Sequence, residues 1–144
     1  MTLYIRHMAW LQATPKPPAG SKRAELADHA PKLSRLARMK KDGVAPPMPP
    51  NPAPHIIDWL TEIGLVGGGG MGAIPVSWQE IVAWQSASGV RLEPWVARLI
   101  HRLSTAYVAF SRKAEEENCP PPWRAPVTQR ERDTEEARLR LLLG

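Results

Sequence analysis

The sequence predicts an all-α protein, a small three-helix core with Pro-rich and charged flexible flanks. Three observations predict it. Ile56, Trp59, Leu60 and Ile63 repeat at the i, i+3, i+4, i+7 spacing of one helix face. Ser77-Trp-Gln-Glu80 has the form of a capping box, and Gly89 lies where a left-handed stop belongs. Beyond Gly89, Pro94 opens a long stretch whose apolar residues form a wide stripe, the pattern of a helix packed between neighbours.

The chain has 144 residues, but ten of its sixteen prolines precede residue 55, which leaves a much shorter foldable part. That part is about 70 residues, a size at which burial on folding removes only about 60% of the unfolded chain's surface, so a partner would add needed stability. We divide the chain into a basic, Pro-rich arm and linker (1–53), a Trp-rich helical core (54–123) and a charged C-terminal tail with helical character (124–144).

The net charge is +5 and unevenly spread. Residues 1–50 hold nine Lys and Arg against three Asp and Glu, whereas residues 51–123 hold five against seven. A basic arm of this kind suits nucleic acid, an anionic membrane or an acidic protein, and equally a solvated tail. A single cysteine, Cys119, rules out an internal disulfide and fits a reducing compartment. No apolar run reaches the ~18 residues of a membrane span, and the chain reads as cytosolic.

In order, residues 1–11 are mildly apolar and end at the prolines of Thr14-Pro-Lys-Pro-Pro18. Met8 offers a second place for the chain to start. Residues 21–41 are rich in helix formers but interrupted by Pro31, so their second half is a short basic helix with Leu33, Leu36 and Met39 as a thin apolar stripe, ended by Asp42-Gly43. Six prolines between Val44 and Pro54 predict an extended spacer. The first core helix then runs from His55 to Ile63, with Gly64 as its stop.

The glycine run that follows is not a phosphate cradle. A P-loop needs Lys and then Ser or Thr after its last glycine, and here Gly72 precedes Ala73-Ile74. Nor does a strand precede the run, as a dinucleotide fingerprint requires, so we read a flexible connector. The capping-box helix comes next, about three turns long. In the final core helix Trp95, Leu99, Leu103, Ala106 and Phe110 form one apolar row, Val96, Ile100, Leu103 and Tyr107 a second, with Arg98, His101, Arg102, Thr105 and Arg112 opposite. Continued to Glu117 it would be ~36 Å long. Glu115-Glu-Glu117 opposes the helix dipole, so this end is expected to fray before Cys119-Pro-Pro-Pro-Trp123 stops it. A second capping-box pattern, Thr128-Gln-Arg-Glu131, introduces the tail, which ends in Leu139, Leu141, Leu142 and Leu143. We expect it to be disordered or docked on a partner.

No constellation here carries a reaction. The four histidines lie in separate segments, and Cys119 has no companion at the short spacing of a metal site. His101 has no Ser, Cys or Asp spaced to meet it as a catalytic base. The expectation is therefore no enzyme, with no catalytic, cofactor or metal residues. Six tryptophans against one phenylalanine is an unusual balance. Trp59, Trp78 and Trp95 are placed on core faces. Trp84, Arg91, Arg98, Arg102 and Trp123 are the candidate partner-binding residues, because tryptophan beside arginine is a common interface anchor.

The stretches Gly70-Met-Gly72, Val76 to Gln85, Ser88 to Val108 and Cys119 to Trp123, with an opening at Met8-Ala-Trp-Leu-Gln-Ala-Thr-Pro-Lys16, resemble small proteins encoded in the tail modules of long-tailed bacteriophages and prophages. The resemblance covers about residues 8–123. Such proteins lie near the tape-measure gene and are commonly assigned as tail assembly chaperones. The resemblance implies a non-enzymatic helper in the host cytoplasm that binds the tape-measure protein, keeps it soluble, helps recruit tail-tube subunits and leaves before the particle is complete. It transfers no binding residue. Two other readings stand beside it: a minor structural tail protein retained in the virion, and a nucleic-acid-binding or regulatory protein using the basic arm around Lys32 to Lys41. Neither a membrane nor nucleic acid is the expected partner.

Overall fold

The structure, a computed structural model, describes residues 1–27 and 31–144. The central residues of the 21–41 segment, 28–30, lie outside the described residues. The fold is all-α, and its helices are α1 (Thr2–Gln12), α2 (Lys22–Ala27), α3 (Arg35–Lys41), α4 (Pro54–Ile63), α5 (Trp78–Ser88), α6 (Pro94–Ala114) and α7 (Gln129–Leu143). Among the described residues, no helix is long and apolar enough to cross a membrane.

α6 is the axis of the molecule. Its 21 residues span about 31 Å, and α1 and α4 both pack along it. The core contains Ile56, Ile57 and Leu60 of α4, Ile81 of α5, and Val96, Ile100, Leu103 and Tyr107 of α6. It also contains Ile5 and Ala9 of α1, both essentially inaccessible to solvent. The three helices expected from sequence, α4, α5 and α6, all contribute to the core, and α1, within the 1–53 arm and linker, adds a fourth face to it. Its apolar content is modest, but Ile5 and Ala9 are four residues apart and share a face, which is enough when a long helix is there to receive it.

The Pro-rich segment is not a free spacer either. Pro49 is buried, and the Pro47 carbonyl accepts a hydrogen bond from His7 Nε2 at 3.0 Å. An extended chain of prolines leaves its carbonyls unpaired, and one of them meets a buried donor here.

The starts and stops of the helices follow the local chemistry. Ser77 Oγ accepts from the Glu80 amide and the Glu80 carboxylate returns to the Ser77 amide, completing the capping box. Gly89 stops α5 with φ of 72°. Pro94 starts α6 after Glu93. The connector between α4 and α5 is held in place: Gly67 donates to the Ile74 carbonyl at 2.8 Å, and Ser104, fully buried in α6, accepts from the Val76 amide and donates to the Leu65 carbonyl. A Cβ on Gly67 would lie 2.8 Å from the Pro75 carbonyl oxygen, so glycine is needed there for close approach.

The end of α6 also departs from expectation. The helix stops at Ala114, three residues short of Glu117, and its end is tied down. The last carbonyls of a helix have no partner within it. Arg35, on α3, supplies partners: Nη1 donates to the Ala114 carbonyl at 2.7 Å and to the Trp10 carbonyl at 3.1 Å, and Nη2 donates to the Glu116 carbonyl at 2.9 Å. The Lys16 amide takes the Glu115 carbonyl at 2.8 Å. One buried guanidinium thus faces the negative ends of α1 and α6 together, offsetting the acidic run that would otherwise loosen the terminus.

Candidate docking face

The outer side of α5 exposes apolar side chains next to α6. Trp78 and Val82 are one turn apart on α5 and are 48% and 59% exposed. With Gln79 and Ala83 they line an open depression of about 390 Å³. The Trp78 indole stacks flat on the His101 imidazole, with ring centroids 4.7 Å apart and planes within 2°. Exposed indole is held rigid in this way, and a rigid aromatic loses little freedom when a partner covers it.

Arg98 and Arg102 flank His101 on the outward stripe of α6, and Arg91 lies in the turn before it; all three are exposed. None of the three has a hydrogen-bond or ion-pair partner among the described residues. Arg23, Arg35, Arg112 and Arg140, by contrast, all have hydrogen-bond partners. Trp95, in the first turn of α6, is 54% exposed and donates its indole N–H to Glu93.

The sequence-predicted site residues divide between this face and two other places. Arg91, Arg98 and Arg102 are on it. Trp84 is half-buried beside Trp59, with ring centroids 6.4 Å apart, and His55 meets Trp59 edge-on at 5.2 Å, so Trp84 belongs to the α4–α5 contact. Trp123 is half-buried against α1, edge-on to His7 with centroids 5.8 Å apart.

Trp78 and Trp95, assigned to the core from sequence, are the exposed aromatics instead. Both stand in the first turn of their helices, Trp78 directly after its N-cap and Trp95 directly after Pro94. A periodic stripe assumes neighbours above and below each residue, and a first-turn side chain projects past the end of the packed region. Position relative to the cap was the signal that would have separated them from Trp59. The core row of α6 is Val96, Ile100, Leu103 and Tyr107, while Leu99 and Phe110 of the other row are half-buried at its margin.

Two other clusters are structural. His7 is buried, stacks on Trp10 with centroids 5.8 Å apart, and leaves Nδ1 with no hydrogen-bond partner. Burial lowers its pKa, against the raising effect of the Pro47 carbonyl, and favours the neutral ring with the proton on Nε2. A cleft of about 460 Å³ lies beside Arg35 and Trp10, whose ring carries the guanidinium at 4.7 Å from its centroid. Glu80 is held below the usual carboxylate range by the Ser77 amide, then by the Gly68 amide and the Ser77 hydroxyl, a consequence of capping. Among the described residues no group of three or more His, Cys, Asp or Glu is placed to hold a metal ion.

No family model, no curated protein and no solved structure matches the chain.

Proposed function

We propose that the protein is a tail assembly chaperone-like factor of a long-tailed phage or prophage, acting in the host cytoplasm by holding an elongated, aggregation-prone helical client, the tape-measure protein, through the outer face of α5 and α6. The observation that carries this reading is the exposed pair Trp78 and Val82, with Trp78 stacked on His101 of α6, the helix that also exposes the unpaired Arg98 and Arg102. Apolar anchors one turn apart read the stripe of an amphipathic helix, and free guanidinium groups at the rim suit its carboxylates. The core resemblance to tail-module proteins supplies the identity of the client. The client and its subsequent release make this a binding protein without a reaction to catalyse.

Co-expression with the tape-measure protein of the same tail module, followed by pull-down, tests it. The client should become soluble and co-purify with the wild-type chain, and the W78A/V82E/R98E variant should lose most of the captured client. A client equally soluble alone, with no complex, would overturn the reading.

A further inference from the structure

We infer that His7 is an acid-sensitive clasp: its neutral ring holds the Pro-rich segment 44–53 and the segment 119–123 against the far side of α1, and protonation releases both while α1 stays on α6. α1 is buried on two sides. Ile5 and Ala9, one turn apart, join the core around α6. His7 stands about 200° round the helix from Ile5 and shares its own side with Trp10 and Leu11. Leu11 and Cys119 are buried but lie outside that core cluster. Two segments from elsewhere in the chain cover this second side. The Pro47 carbonyl accepts the hydrogen bond from His7 Nε2, and Pro49 close by is buried. Trp123 meets the imidazole edge-on, while Trp10, stacked on the same imidazole, donates its indole N–H to the Cys119 carbonyl at 2.8 Å. His7 therefore touches both covering segments at once.

The site suits a neutral ring and not a charged one. An imidazolium donates from both nitrogens, and Nδ1 is buried with no hydrogen-bond partner, so its added proton would meet no acceptor. Nor does a carboxylate compensate the charge. Segment 44–53 has no titratable side chain, and segment 119–123 has only the Cys119 thiol, followed by the exposed Arg124. From α1 comes the exposed Arg6, and from α3 the Arg35 guanidinium, 4.7 Å from the Trp10 ring centroid. Beyond the end of α6, Glu115 and Glu117 pair with Lys16 and Arg23, and the Glu116 side chain is exposed. His7 makes no ion pair among the described residues. Once the two segments leave, water solvates the charge. Burial holds the pKa of the closed ring below its ordinary value. Closure is therefore at full strength above about 6.5 and weakens by up to about tenfold per pH unit as pH falls from there toward the lower closed-state value. This inference does not depend on the identity of the client.

The thiol of Cys119, buried in the closed form, reports the opening. The full chain is reacted with a pyridyl disulfide from mildly alkaline to mildly acidic pH, each rate is divided by that of the urea-unfolded chain at the same pH, and helical circular dichroism is recorded alongside. Wild-type protection should be constant above about 6.5 and fall by up to about tenfold per pH unit below it, with the helical signal unchanged. His7→Gln keeps a donor within reach of Pro47 and carries no charge in this range, so its protection should be flat. Trp123→Ala lets water reach the ring, and should start with lower protection and keep less of the pH dependence. Wild-type protection that does not vary with pH, or a His7→Gln slope as steep as the wild type's, would overturn the inference. So would an unchanged slope in Trp123→Ala, or a helical signal lost in step with protection, which would mark global unfolding.

Discussion

The two terminal helices teach opposite lessons. α7 has every local advantage: fifteen residues, a capping box, and side-chain pairs one turn apart. α1 has eleven residues, no side-chain cap and no acidic residue in its first turn. Yet α1 buries Ile5, His7, Ala9 and Leu11 and is the helix most closely packed on α6, while α7 buries nothing. Local signals decide whether a segment becomes helical, and the apolar surface available to it decides whether the helix joins the core. The best-capped helix is the one that adds nothing to the core.

The contrast can be broken most forcefully at the joint that holds α1 and α6 together. Arg35→Ala removes the donor for three carbonyls, at Trp10, Ala114 and Glu116, and should cost roughly 3 kcal/mol or more in denaturant unfolding. Arg35→Lys should recover little of it, because a point charge on a flexible stem does not reproduce a rigid fork. Next, Ile5→Ala should destabilise the protein by about 2–4 kcal/mol, whereas Leu142→Ala, at dilute concentration, should change stability by less than about 0.5 kcal/mol. If the two substitutions cost the same, the distinction between the helices fails.

The capping boxes give a smaller version of the comparison. Ser77→Ala should lower global stability by about 1 kcal/mol, since α5 unfolds with the core. Thr128→Ala should leave global unfolding unmoved and reduce helical circular dichroism alone. The smallest effect is on pH. The pKa of His7 is lowered in the folded state, so the unfolded chain binds the proton more readily. Stability should be full above the unfolded value of about 6.5 and decline as pH falls from there toward the lower folded value. The His7→Gln variant should lack this decline, with unfolding followed between neutral and mildly acidic pH.

The helix starts were legible because caps are local: Ser77, Gly89, Pro94 and Thr128 each act through neighbours in sequence. The contacts between distant segments were less so. Ile5 and Ala9 join the core through α6, about a hundred residues away, and Arg35 meets carbonyls from two helices that nothing in sequence links. On α6, Arg98 and Arg102 were legible as the polar side of an amphipathic helix, whereas Arg91 lies in the turn before it. Trp78 and Trp95 were misplaced because periodicity ignores where a helix ends, and the contacts of Trp84 with Trp59 and of Trp123 with His7 join segments that no local pattern links.

Hydrogen exchange of the full chain measures the difference between α1 and α7 directly. The amides of α1 should exchange only with global unfolding, while those of α7 should exchange fast by local opening. Protection of α7 equal to that of α1 would contradict the contrast between the two helices.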